Sequence, residues 1–304
     1  MATVPDRAAN RLSTLKERAA IIQATRSFFI EQGFLEVETP VRIPAPAPEA
    51  HIEPEPAGDW YLQTSPELCM KRLLAQGYTK IFQICKCFRR HERGERHLPE
   101  MTMLEWYRAD AGYRELMADC EGLFAALATP ERIAAMGGAL DFTPPWPRLT
   151  LTEAFRRYAP VSLAEAIVRQ SFEEILVSTV EPRLGAGSPV FLCDYPASQA
   201  SLARLHPDNA GFAERFELYC NGVELANGFA ELNDPAEQRR RFEHEQDLIR
   251  TFGRTPAPMP EPFLDDLVRM PEAAGIALGV DRLVMLLTGA SSIAQVVAFP
   301  PERL

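Results

Sequence analysis

The dipeptide Asn221-Gly222, set between the apolar runs 216–220 and 223–226, restricts the fold of this chain more than any other short stretch. A two-residue link of this kind needs positive φ at both central positions, which asparagine and glycine adopt at least cost, and it joins strands only in antiparallel fashion. A second, longer hairpin is expected between strands 80–89 and 100–108, across the charged loop 91–99. The segment 275–280 is a glycine-spaced apolar strand that runs directly into an apolar helix beginning near Asp281. Thr14 and Glu17 have capping-box spacing, and Ile21, Ile22, Thr25, Phe28, Phe29 and Gln32 follow one helical face until Gly33. Residues 34–39 read as a strand stopped by Pro40, and the Pro/Ala-rich run through Pro56 reads as an extended loop. Helices are expected over 65–76, 115–127, 162–177 and 234–252, with Pro144 to Pro147 punctuating the chain. Hairpin-linked strands interrupted by helical insertions predict an α+β fold, an antiparallel sheet flanked by helices.

Composition sets outer limits. At 304 residues, 46% hydrophobic and 24% charged, the chain can bury a substantial core and needs no staples. No stretch of about eighteen apolar residues suggests a membrane span, and residues 1–18 lack the apolar segment of a secretory signal, so a cytoplasmic protein is expected. The net charge of −10 opposes sequence-independent attraction to phosphate backbones. Cys69, Cys85, Cys87, Cys120, Cys193 and Cys220 show no C-x-x-C spacing and read as reduced thiols. Cys85 and Cys87 would share one strand face, but two ligands do not make a zinc cage.

Strand periodicity then groups the polar residues. Period two places Met101, Met103, Glu105 and Tyr107 on one face and Thr102, Leu104 and Trp106 on the other. The first face suits a partly buried cationic amine, or is an ordinary strand face. Across the Asn221-Gly222 turn, Cys220 faces Val223, Tyr219 faces Glu224 and Glu217 faces Ala226. Glu217 and Glu224 are then diagonal neighbours about 7 Å apart, either a joint site for Mg²⁺ carried by a nucleotide or two solvated acids. Parity alone sends Glu231 to the face opposite Glu224, and a bulge near Asn227-Gly228 would return it. Arg89 and Arg282 are each a phosphate-binding fork or a surface arginine.

In order, these segments resemble the three motifs of the class II aminoacyl-tRNA synthetase core. Gly33-Phe34-Leu35-Glu36-Val37-Glu38-Thr39-Pro40 is similar to motif 1, Cys87-Phe88-Arg89 through Glu105-Trp106-Tyr107-Arg108 to motif 2, and Gly275 through Arg282 to motif 3. Thr64-Ser65-Pro66-Glu67 and the segment Glu224 to Asn233 resemble the lysyl subgroup. The resemblance covers nearly the whole chain from about Leu12, and no anticodon-binding β-barrel is expected before motif 1, so 1–304 is expected to be a single catalytic domain. A short family of that architecture is the elongation factor P (R)-β-lysine ligases, synthetase paralogues that modify a protein lysine in place of tRNA. Met103 to Arg108, Glu224 to Phe229 and Gly275 to Met285 resemble it most, with Ala277 standing where lysyl-tRNA synthetases carry glycine.

The resemblance implies a catalytic role for Arg89 at the α-phosphate and amino-acid carboxylate and for Arg282 against adenine. It implies Arg96 and His97 at the outer phosphates of ATP, and Mg²⁺ on Glu217 and Glu224. Glu67 would meet the backbone-side amine, Glu105, Tyr107 and Glu231 the ε-ammonium, and Asn227 the carboxylate end. The alanine at position 277 goes with preference for β-lysine over α-lysine. Two positions depart from the pattern: His91 stands where motif 2 expects an acid, with Glu92 next to it or a backbone carbonyl as the substitute, and Met101 stands where a phenylalanine packs on adenine. The implied activity is ATP-dependent activation of (R)-β-lysine and transfer to elongation factor P, in a motif 1 homodimer. The rivals are a reduced enzyme that charges tRNA or makes a small amide, and a non-catalytic regulatory paralogue.

Overall fold

The computed structural model describes residues 4–137 and 140–304; residues 1–3 of the polar N-terminal stretch lie outside the described residues. Helix α1 (Val4–Glu31) starts earlier than the Thr14/Glu17 pair suggests. The helix formers that precede Thr14 let it extend N-terminally, and Glu17 accepts a 2.6 Å bond from Arg132 Nε on a later helix instead of closing a capping box. Its end is as expected. Gly33 takes φ 78°, Phe34 N–H donates to the Phe29 carbonyl at 2.9 Å, and the two phenyl rings meet edge-on at 5.1 Å, a Schellman stop with its apolar contact.

Strand β1 (Leu35–Glu36) occupies only the start of the expected strand 34–39. The Pro/Ala-rich loop contains β2 (Arg42–Ile43) and β3 (Pro56–Ala57), which flank β4 (Trp60–Leu62) in a three-stranded sheet. Two-residue strands have no periodicity to read, so proline content dominated the expectation. Helix α2 (Glu67–Ala75) leads to the long hairpin of β5 (Lys80–Phe88) and β6 (Glu100–Ala109). Next come α3 (Tyr113–Leu127), α4 (Pro130–Ala135), β7 (Arg148–Thr150) and α5 (Leu151–Tyr158). The single helix expected over 162–177 is broken into α6 (Leu163–Val168) and α7 (Phe172–Ile175), because Gln170 turns left-handed at φ 55° between them.

The second half carries β8 (Val190–Pro196), β9 (Leu205–His206), β10 (Asn209–Cys220) and β11 (Val223–Ala230). Helix α8 (Pro235–Thr251) is capped by Asp234, whose side chain accepts from the Ala236 and Glu237 N–H groups. Then follow α9 (Glu261–Leu267), β12 (Ala273–Gly279) and α10 (Val280–Leu287).

Nine strands form one sheet in the order β1-β5-β6-β12-β11-β10-β8-β7, with β9 attached to β10. Only the β1–β5 and β7–β8 pairs are parallel. Asn221 and Gly222 take φ 50° and 67°, the primed turn their identity demands. One face of the sheet is apolar: Leu104, Trp106, Phe216, Leu218, Ile276 and Leu278 pack in one core with residues of α1, α3 and α10. At the edge of that core Arg18 and the buried Asp281 pair at 2.6 Å, while Thr102 N–H donates to Asp281 at 2.7 Å. This anchors the first turn of α10 to α1 and β6. All six cysteines are free thiols.

Candidate active site

The other face of the sheet gathers the polar residues. Strand register aligns Glu217 with Asn227, Asn227 with Ala277, Ala277 with Glu105 and Glu105 with Gln83, one row across five strands. The β10–β11 register corrects the expected facing: Tyr219 opposes Glu224, but Leu218 opposes Ala226 and Glu217 opposes Asn227 rather than Ala226. Leu225 is an extra residue, a bulge two positions before the place expected. Its effect on parity is the anticipated one. Leu225 and Ala226 both turn into the core, so Glu224, Asn227, Phe229 and Glu231 share the opposite side.

At one end of this face lies an acidic nest. Glu67 and Lys71, one turn apart on α2, meet Glu231 just beyond β11: Lys71 Nζ lies 2.5 Å from both Glu67 Oε1 and Glu231 Oε2. Beside them Glu105 Oε1 accepts from Ser65 Oγ at 2.6 Å and Oε2 accepts from Tyr107 OH at 2.8 Å. Gly275 is what allows this packing. A Cβ there would fall 2.2 Å from the Tyr107 ring and 2.4 Å from Glu231 Oε1.

The nest holds three carboxylates and one ammonium, nearly all of it out of water: Lys71, Glu105 and Glu231 are each 1% exposed. Burial, reinforced by Glu67, pushes Glu105 up to about 8. Burial also pushes Glu231 up to about 8, against the opposing pull of Lys71. For Lys71 burial acts against the charge, but Glu231 and Glu67 outweigh it and raise the ammonium pKa. Carboxylates in this state are under-neutralised and favour a further cation. Lys71 was missing from the sequence reading, and its one signal is the i, i+4 spacing from Glu67.

At the other end the groups suit phosphate. Arg89, which follows β5, donates through Nε to the Thr64 carbonyl at 3.4 Å, with Glu92 3.8 Å from Nη1. Arg90 turns away to Glu53 at 2.9 Å, and His91 takes φ 64°. Arg96 donates to the Gly222 carbonyl at 2.8 Å, pinning the loop 91–99 onto the β10–β11 turn. Arg282 donates to the Glu224 carbonyl at 2.9 Å and carboxylate at 3.1 Å, and meets His97 Nε2. Desolvation and the Arg282 guanidinium lower the His97 pKa, so a neutral imidazole accepts from Arg282.

Glu217 accepts from Arg215 Nη2 and Tyr219 OH, each at 2.6 Å, while burial and Glu224 raise its pKa. Glu181, 3.1 Å from Tyr219 OH, is likewise pushed up to about 7 by burial, Glu217 and Glu224. It opens a short 3₁₀ turn that gives no signal in the sequence. Among the described residues no group of three or more His, Cys, Asp or Glu converges as a metal cage. Two mutually repelling carboxylates fit a hard cation that brings its own phosphate ligands. Met101 opposes Cys87 and Met103 opposes Cys85, whose sulfur lies 3.9 Å from that of Cys87, making a soft strip on this face.

Between the two ends is a pocket of about 80 Å³ lined by Glu67, Arg89, Glu105, Tyr107, Asn227 and Ala277, among others. Glu231 lies beneath it, against Gly275. Glu49 also lines it, a residue the sequence reading passed over inside a proline-rich loop.

Comparison with known proteins agrees along nearly the whole chain. The family of class II tRNA synthetases (D, K and N) matches residues 4–303. The elongation factor P–(R)-β-lysine ligase of Salmonella gallinarum is 38% identical over 96% of this chain and 96% of its own. The ligase of the same name from Vibrio atlanticus is 38% identical over 96% of this chain and 97% of its own.

Proposed function

The chain belongs to the class II tRNA synthetases, and from that membership we propose that it is an ATP-dependent ligase that activates (R)-β-lysine and passes it to a lysine of elongation factor P. The observation that carries this reading is the acidic nest. Three carboxylates around one resident ammonium, most of them buried, are matched by a substrate with positive charge along its chain. Glu105, Tyr107 and Glu231 take its side-chain ammonium, Glu67 its other amine, and Asn227 orients its carboxylate toward Arg89. Ala277, between Asn227 and Glu105 in the same row, sets how far the amine can stand from the carboxylate.

In this reading ATP has its α-phosphate at Arg89, its outer phosphates at Arg96 and His97, and its base between Arg282 and Met101, with Glu92 at the adenine amino group. Glu217 and Glu224 would hold Mg²⁺, which supplies neutralising charge at the phosphates when bound. Arg89 faces both the amino-acid carboxylate and the α-phosphate, so the carboxylate oxygen attacks phosphorus, pyrophosphate leaves, and an aminoacyl-adenylate forms. Alignment and fixed positive charge provide the acceleration.

Among the described residues no helix is long and apolar enough to cross a membrane. We read the protein as a cytoplasmic, single-domain homodimer joined through α1 and β1.

The test is amino-acid-dependent ATP–pyrophosphate exchange with (R)-β-lysine and α-lysine, followed by transfer to elongation factor P or to bulk tRNA. Exchange preferring (R)-β-lysine with transfer to the protein supports the reading. Charging of tRNA with α-lysine would replace it with a reduced synthetase, and no exchange with any amino acid would replace it with a regulatory paralogue.

A further inference from the structure

Glu49 is not among the groups assigned to the amines, the carboxylate or the phosphates, yet it stands where two cavities meet. It lines the aminoacyl pocket beside Glu67 and Arg89. It also lines a neighbouring cavity of about 280 Å³ walled by Pro46, Pro54, Tyr61, Arg90 and Arg254. The segment that carries it is held from several sides. Ala50 N–H donates to Glu245 Oε2 on α8 at 2.7 Å, Arg254 holds the Ala50 carbonyl, and Ile52 N–H returns to the Glu49 carbonyl at 3.2 Å. Within the second cavity Glu53 is engaged by Arg90 at 2.9 Å and Arg254 at 3.7 Å. Its charge is already matched.

Acyl transfer to an amine requires a nucleophile that is neutral when it attacks, whereas a lysine side chain in water carries a proton at neutral pH. The adenylate occupies the aminoacyl pocket and the arginine end, and the cavity that shares Glu49 with that pocket offers the acceptor an approach. A carboxylate at the junction can attract the arriving ammonium and then unload it.

We propose that the 280 Å³ cavity admits the acceptor's primary alkylammonium and that Glu49 is the catalytic base that deprotonates it. The proposal rests on the ligase reading above. Glu49 takes one proton from the ammonium, and the neutral nitrogen attacks the acyl carbon of the adenylate. A C–N bond forms, the acyl C–O bond to phosphate breaks with its electron pair leaving on AMP, and the second nitrogen proton passes to the departing phosphate. The charged groups facing Glu49 are Arg89 after β5, Glu67 on α2, Glu245 on α8 and Glu92 in the motif 2 loop. Burial pushes its carboxyl up to about 7, Arg89 opposes this, and the three acids add to it. Such a group can hand its proton to water between turnovers.

The experiment follows single-turnover transfer from preformed adenylate to elongation factor P, beside pyrophosphate exchange, for wild type, Glu49→Gln and Glu49→Asp. Hydroxylamine, already unprotonated at neutral pH, serves as an alternative acceptor. Wild-type transfer should rise with pH through about 7. In Glu49→Gln that inflection should vanish, and transfer should fall about 100-fold more than exchange does. Glu49→Asp should recover part of the rate, and hydroxylamine capture should fall far less than protein transfer. Equal losses in exchange and transfer, a retained inflection in Glu49→Gln, or hydroxylamine capture slowed as much as protein transfer would each overturn the role of Glu49. A wild-type enzyme that exchanges pyrophosphate but modifies no protein would sink the ligase reading instead.

Discussion

Strand β6 carries a buried charge cluster on each of its faces, and the two are balanced differently. Toward the helices, Arg108 grips Asp119 through Nε at 2.8 Å and Nη2 at 2.6 Å, and Trp106 Nε1 adds a third bond at 3.1 Å. One cation meets one anion. Toward the pocket, Glu105 joins Glu67 and Glu231 around the single ammonium of Lys71. Withdrawing an ion from water costs several kcal/mol unless an opposite charge is at hand. The matched cluster therefore serves the fold by itself, whereas the unmatched one holds protons that a cation from outside can replace.

Arg108→Ala should have the largest effect, because it leaves the Asp119 carboxylate buried without its partner: about 3–5 kcal/mol of unfolding free energy, read as a lower urea midpoint. A loss under about 1 kcal/mol would erase the contrast. Glu231→Gln comes next and should act on function. Amino-acid-dependent exchange should weaken by about 100-fold, near 3 kcal/mol, with the KM for ATP moving little. Equal loss on both substrates would show that Glu231 supports the fold rather than the amine.

A pH series sharpens the contrast further. Glu105 and Glu231 stand at about 8 in the folded protein against an ordinary 4.5, so between those values the folded state holds protons that the unfolded chain has released. Their contribution to stability is complete below about 4.5 and is lost as pH rises through about 8. Urea melts from pH 6 to 9 should show this decline in the free protein, and saturating (R)-β-lysine should flatten it. An equal slope with and without ligand would break the assignment. The smallest effect is expected for Ala277→Gly, a shift toward α-lysine of about tenfold, the scale of one methyl group in a pocket. An unchanged ratio would remove Ala277 from specificity.

The central hairpins, the inward and outward sides of β6 and the primed turn at Asn221-Gly222 were legible because each follows from local chemistry and period two. The bulge was legible only as a need. Glu231 had to be brought back, but the run Glu224-Leu225-Ala226 contains no glycine or other mark of the extra residue. Lys71 was hidden because its meaning comes from Glu231, which reaches it from a distant strand. Glu49 was hidden because proline content made its neighbourhood look like a connector. The ligand roles proposed for Arg96, His97 and Met101 come from motif resemblance and not from periodicity, which says nothing about a loop that folds back on a turn.

The extra residue at Leu225 works as a phase marker for everything after it. Pairing the two strands without the bulge, with Leu225 opposite Leu218, would leave the turn and the strand's length intact, yet it would exchange the two sides from Ala226 onward. The Asn227 amide and the Glu231 carboxylate would face hydrocarbon, while Ala226 and Ala230 would face the pocket. Side-chain exchanges such as those at Ala277 can thus retune the chemistry one position at a time, whereas the two successive core-facing residues Leu225 and Ala226 set the sides of Asn227 and Glu231 together.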